Sequence, residues 1–198
     1  DNSILDIVMI VDKLEKISGN VQESLRFAEA KNAALITFNG AALYVMVEGN
    51  SYFPAFIQNH WHFSAIVLII AITLAIIAFL PSFGSKTKSI SSIDLRKWNA
   101  RKKYGIFYFG HIRQYGPEEY LAKVYEFHSL KLEEPISRIE LDLAQQAITL
   151  SRITRHKYVF FSWAGHLTLI ALVLPIPILL LYWLATYINR FTETDLPV

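Results

Sequence analysis

The chain has 198 residues, of which 53% are hydrophobic, 14% aromatic and only 18% charged, with a formal net charge of +2. A soluble domain carries about a quarter charged residues, so the composition argues against an ordinary globular domain and toward contact with lipid. There is no cysteine, which excludes a disulfide framework and any thiol ligand or nucleophile.

Residues 1–32 read as helix. Ile7, Leu14, Val21 and Ala28 recur at intervals of seven, and Val11, Ser18, Leu25 and Asn32 repeat that interval offset by four. Together they make one apolar stripe suited to a helical partner. Asp6 and Asp12 interrupt the N-terminal apolar run, which does not fit a signal-peptide core. Ser18-Gly19-Asn20 offers a break, since Asn20 with Glu23 fits a capping box. A helix from Val21 would then enter the first apolar segment directly.

That segment, expected as a span over 33–50, holds Ala33–Val47 with Thr37 and Asn39 inside and Glu48 at its end. By length alone it also fits a buried soluble helix. An outer loop, 51–60, follows, and Tyr52, Phe53, Phe56, Trp61 and Phe63 cluster around it, as suits a headgroup layer. The second span, 61–81, is the clearest. Phe63–Leu80 contains only Ser64 and Thr73 as polar members, and its length is roughly 27 Å, close to a hydrocarbon core.

Residues 82–157 are expected to form a cytoplasmic segment. Ser, Gly and Lys dominate 81–95, which reads as loop. The aromatic, Gly-bounded stretch Tyr104–Tyr115 fits a short strand or a folded loop. Pro117 with Glu118 and Glu119 marks a helix start, and that helix is expected to reach Leu132 with Leu121, Val124 and His128 on one side. Pro135 opens another helix whose stripe is Ile136, Ile139, Leu143, Ala147, Leu150 and Ile153. It runs unbroken into the third span, 158–188, and a short outer tail, 189–198. Val159–Ile188 contains no Asp, Glu, Lys or Arg.

Charge partition selects three spans over two. With three, every one of the 19 Lys and Arg residues except Arg190 falls on one face, and basic residues favour the cytoplasm. The expected fold is therefore an all-α membrane protein. Three transmembrane helices carry a mainly helical cytoplasmic domain built from the N-terminal segment and 82–157. The N-terminus is cytoplasmic and the C-terminus outside.

The chemistry concentrates at 101–120, where Arg101, Lys102, Lys103 and Arg113 lie among Tyr104, Phe107, Tyr108, Phe109, Tyr115 and Tyr120. Basic groups suit phosphate and aromatic faces suit a base. The alternative is juxtamembrane cations meeting anionic lipid over a small aromatic core. Arg152 and Arg155 share a helix face and fit a ligand role or membrane anchoring. Within the spans, Asn39 with Gly40 suits helix–helix contact or a pore lining, and His166 a helix–helix hydrogen bond or proton handling. Pro175 and Pro177 are expected to kink the last span. His60 and His62 lack a third ligand nearby, so no metal site is expected. The chain has no Ser-His-Asp ordering, zinc spacing or Gly-rich phosphate loop, so neither catalysis nor a cofactor is expected.

Several phrases recur in order: Ala30-Lys31 with Ala34-Leu35-Ile36-Thr37-Phe38-Asn39-Gly40; Tyr108-Phe109-Gly110-His111-Ile112; Glu119-Tyr120-Leu121; Gln145-Gln146-Ala147-Ile148; Ser151-Arg152-Ile153; and Lys157-Tyr158. In this order, and between about residues 20 and 185, the chain resembles the Pycsar transmembrane effectors of bacterial antiphage defence. That resemblance implies a cyclic pyrimidine mononucleotide second messenger, cUMP or cCMP, made by a partner nucleotide cyclase that need not touch the effector. It also implies impairment of the bacterial inner membrane and abortive infection. Related systems leave a cyclic oligonucleotide open as ligand, and a non-gated scaffold or small channel is the remaining alternative. The expected ligand set is Arg101, Lys102, Lys103, Tyr108, Phe109, His111, Arg113, Tyr120, Arg152 and Arg155. The expected membrane or pore set is Asn39, Gly40, His166, Pro175 and Pro177. The expected partners are the nucleotide, the bilayer and further copies of the chain, with no nucleic acid polymer.

Overall fold

The heptad stripe near the N-terminus folds as one long helix. In the computed structural model, which describes residues 2–49, 53–80, 105–132 and 135–194, α1 runs unbroken over Asn2–Gly49. The break at 18–20 does not occur. Gly19 and Asn20 are exposed while Ile17, Ser18 and Val21 are buried, so the stripe passes the glycine without losing its face. Extending a helix past one glycine costs about 1 kcal/mol, less than nucleating a second helix.

Five further helices follow among the described residues: α2 (Ala55–Phe79), α3 (Phe109–Ile112), α4 (Pro117–Phe127), α5 (Arg138–Val173) and α6 (Ile176–Thr194). No strand occurs among those residues. The chain divides into two compact units, Asp1–Ala30 with Leu80–Val159, and Lys31–Phe79 with Phe160–Val198.

The first unit has a core of Ile10, Leu14, Ile17 and Val21 from α1, Ile112 and Tyr115, Leu121 and Val124 from α4, and Ala144, Ala147 and Ile148 from α5. Where a short strand or a folded loop was expected, residues 105–115 contribute the single-turn α3. The expected start of α4 is present: Pro117 occupies its first turn, and Glu119 Oε2 accepts the Gly116 N–H at 3.3 Å. Its end comes earlier than Leu132. The Ser129 N–H bonds Glu126 O at 3.1 Å and the Leu130 N–H bonds Tyr125 O at 3.0 Å, with Ser129 at φ 58. This is the paired closure of a Schellman motif.

The stripe of α5 needs correction. Its buried face is Glu140, Ala144, Ala147, Ile148, Ser151 and Thr154, and of the expected stripe only Ala147 lies fully on it. Ile139 is 64% exposed. Hydrophobicity misleads here because the inward position is held by a carboxylate. Tyr125 donates its hydroxyl to Glu140 Oε1 at 2.5 Å, which offsets the cost of burying that group.

In the second unit, α1, α2 and α5 meet through small side chains. Ser64, Ala71, Ala75 and Ala78 of α2 and Ala164, Thr168 and Ala171 of α5 are all buried. Small residues let apolar helices approach closely in lipid. The opposite side of α2 turns Ile66, Ile69, Ile70, Ile76 and Ile77 outward, as lipid contact requires. The Trp61 indole N–H donates to Met46 O, one of the last carbonyls of α1 that its own helix leaves free. Among the described residues, two helical stretches are long and apolar enough to cross a membrane: Ile57–Phe79, and the stretch within Arg138–Asn189. The expected span 33–50 lies mostly in α1 and is not one of these. Where the kink is expected, the helix is interrupted between α5 and α6 at residues 174–175. Pro175 and Pro177 cannot donate to Ala171 O and Val173 O, whereas the flanking bonds Leu174 N–H to Ile170 O and Leu179 N–H to Pro175 O, both 3.0 Å, persist.

Candidate functional site

The one-turn helix α3 organises the aromatic and basic groups of the first unit. Gly110 is buried, and a Cβ there would collide with the Tyr108 ring, so the missing side chain is what seats that ring. Tyr108 is 51% exposed and meets His111 edge-on at 5.1 Å between centroids. His111 Nδ1 accepts the Gly105 N–H at 3.1 Å, which places the ring proton of the neutral form on Nε2. Phe109 is partly buried and stacks on Tyr158 at 5.4 Å with an interplanar angle of 14°.

Two guanidinium groups anchor on the backbone of this same turn. Arg113 donates Nε–H to Gly110 O at 3.2 Å, and Arg152 donates Nε–H to Arg113 O at 3.3 Å. Both are fixed through Nε to backbone carbonyls, so the terminal Nη groups stand outside these bonds. Such a pair of planar forks suits a phosphate. Arg155 is exposed one turn along α5.

Tyr120 lies apart from this surface. It is fully buried, and its hydroxyl donates to Ile106 O at 2.7 Å. Burial first, and the neighbouring Tyr115 second, push its ionisation well above the usual phenol range. Its role in this structure is to hold the 105–108 segment over the core. Arg101, Lys102 and Lys103 lie outside the described residues.

In the second unit, Asn39 is completely buried and its amide donates to Thr168 Oγ1 at 2.9 Å. The Thr168 hydroxyl in turn reaches Ala164 O at 2.9 Å or Asn39 Oδ1 at 3.0 Å. Gly40 is exposed on the other side of α1, where an added Cβ would meet nothing within 4 Å. Asn39 and Gly40 thus occupy different faces of α1. His166 is exposed, with Nδ1 2.6 Å from Ser162 O, beside an open apolar groove lined by Leu35, Phe38, Phe161 and Leu169. No group of three His, Cys, Asp or Glu poised for a metal occurs among the described residues.

Sequence reasoning missed Tyr158, Thr168 and Asn32 as site residues. Asn32 is 1% exposed, and both its amide nitrogen and oxygen lack hydrogen-bond partners. The available signal was the heptad itself, because Asn32, Asn39 and Met46 recur at intervals of seven on one face.

The chain matches the Pycsar effector protein domain over residues 13–185. It is similar to the Pycsar effector protein RsPycTM of a Rhizobium species, with 27% identity over 169 residues, covering 83% of this chain and 91% of that protein. No solved structure matches it.

Proposed function

Since the chain belongs to the Pycsar effector domain family, we propose that it is an antiphage membrane effector whose first unit binds a cyclic pyrimidine mononucleotide. The observation that carries this reading is the α3 turn, which presents an exposed Tyr108 ring and anchors the Arg113 and Arg152 guanidinium groups on its Gly110 and Arg113 carbonyls. Tyr108 and the Phe109–Tyr158 stack offer aromatic faces to a base, Arg113 and Arg152 receive the cyclic phosphate, and His111 Nε2 is a donor to a base or ribose oxygen. Arg155, Arg101, Lys102 and Lys103 add positive potential.

Helices α1 and α5 each supply residues to both units. A ligand that prefers one packing of these helices in the first unit therefore has a covalent route to the membrane segments, and only such a preference shifts a population. Three spans, with α1 supplying residues 33–49, place nearly all basic residues on the cytoplasmic face. Several copies then assemble in the inner membrane and impair it, acting by assembly rather than by catalysis.

The test is calorimetry of the detergent-solubilised protein with cUMP, cCMP, cyclic purine nucleotides and cyclic oligonucleotides, paired with dye leakage from reconstituted vesicles. Saturable binding of cUMP or cCMP that is lost in Arg152→Glu, with leakage only when the nucleotide is present, is expected. Binding confined to a cyclic oligonucleotide would replace the ligand assignment. Leakage independent of every nucleotide would replace gating with a constitutive channel.

A further inference from the structure

The second unit carries a buried polar seam that no contact in the unit fully explains. Asn39 and Thr168 satisfy each other. Asn32, seven residues earlier on the same face and so about 10.5 Å along α1, is as deeply buried and has neither polar atom bonded. Beyond Asn39 the seam ends abruptly: Met46 of α1, Leu68 of α2 and Ala171 of α5 form an apolar cluster. One turn from Leu68, toward Trp61, the Ser64 hydroxyl is again buried and unpartnered.

Polar groups thus lead along one face of α1 to an apolar constriction, with the Ser64 hydroxyl beside it, inside a bundle that otherwise buries Ala, Leu, Ile and Met. A buried amide without partners is costly wherever packing excludes water, and hydration relieves that cost. An apolar constriction excludes water while it is narrow and admits it when the helices part. We propose that Asn32, Asn39, Thr168 and Ser64 line a permeation path for water and small cations, and that Met46, Leu68 and Ala171 form its gate. This rests on the membrane-impairing function proposed above and assigns its conducting surface. The driving asymmetry is local, because Asn32 gains partners only when the path is wet.

The chain has no cysteine, so single-cysteine variants report cleanly. Asn32→Cys, Asn39→Cys and the lipid-facing control Ile69→Cys are reconstituted in vesicles. Each is treated with a bilayer-impermeant methanethiosulfonate trimethylammonium reagent on the Asn32 side, with and without cUMP or cCMP. Asn32→Cys is expected to react on the order of tenfold faster than Ile69→Cys, given the cost of leaving that site dry. Asn39→Cys, on the near side of the proposed gate, is expected to react faster than Ile69→Cys whether or not the vesicles leak. Leaky vesicles in which both seam cysteines react no faster than Ile69→Cys overturn the path. Wild-type vesicles that never leak instead remove the proposed function, while slow seam labelling would overturn the hydrated seam independently.

Asn32→Leu guards against a folding artefact. It breaks no hydrogen bond, so its melting temperature is expected to equal or exceed that of wild type while leakage falls by about tenfold. Unchanged leakage in a folded Asn32→Leu protein, with nucleotide binding intact, overturns the proposal.

Discussion

Individual polar side chains carry most of what distinguishes this bundle from a generic apolar one. Asn39 was visible in the sequence as an amide within an apolar run, but Thr168, 129 positions away, could be paired with it only through the fold. A double-mutant cycle of Asn39→Leu and Thr168→Val is expected to give a coupling of about 0.6 kcal/mol, and at most about 1.7, read from reversible unfolding in bicelles. Tyr120 teaches the opposite lesson. Its sequence neighbourhood suggested a stacking face, yet an aromatic ring in a basic stretch serves a core equally well, and composition does not separate the two. Tyr120→Phe orphans Ile106 O and is expected to cost about 1 kcal/mol. The variant also changes alkaline behaviour. Below about pH 10 the phenol is neutral in both states. Above it the unfolded chain loses the proton while the buried hydroxyl keeps it, so the unfolded state binds fewer protons and stability falls as pH rises. Chemical denaturation across about pH 9 to 11 should show a shallower decline in Tyr120→Phe than in wild type.

Element boundaries were legible where their chemistry was local. Pro117 and Glu119 announced α4 because a proline in the first turn and an acid reaching back to the cap act within a few residues. Its end was hidden because a serine, not a glycine, occupies the left-handed position at φ 58. Ser129→Gly is expected to stabilise the protein by about 0.5–1 kcal/mol, seen as a raised melting temperature. The face of α5 was misjudged for a different reason: Glu140 is inward only because Tyr125, 15 residues away, donates to it. In α3 the glycine is informative by what it lacks. Gly110→Ala forces the Tyr108 ring to move. Its expected outcome is weakened cyclic nucleotide binding with an unchanged helical circular dichroism spectrum, since the core residues of the unit do not include Tyr108.

At the scale of the molecule, the sequence conveyed the membrane through the absence of charge over two helical stretches long and apolar enough to cross it. It could not convey which residues face one another across α1, α2 and α5, because apolar spans offer many equivalent stripes. The feature that ties the scales together is the continuity of α1. Its buried positions before residue 30 include Ile10, Leu14, Ile17, Val21 and Ala28, and those after it Asn32, Asn39 and Met46. All lie in one heptad register on a helix about 72 Å long. Such a rod keeps rotational phase. One alanine inserted after Arg26 turns every later residue by about 100° relative to every earlier one. Seven inserted residues restore the phase to within about 20°. The single insertion in α1 is expected to abolish nucleotide-dependent leakage, and seven residues inserted into both α1 and α5, which keeps their pairing, to retain it, so the angle of α1, more than its length, would be the quantity that carries the signal.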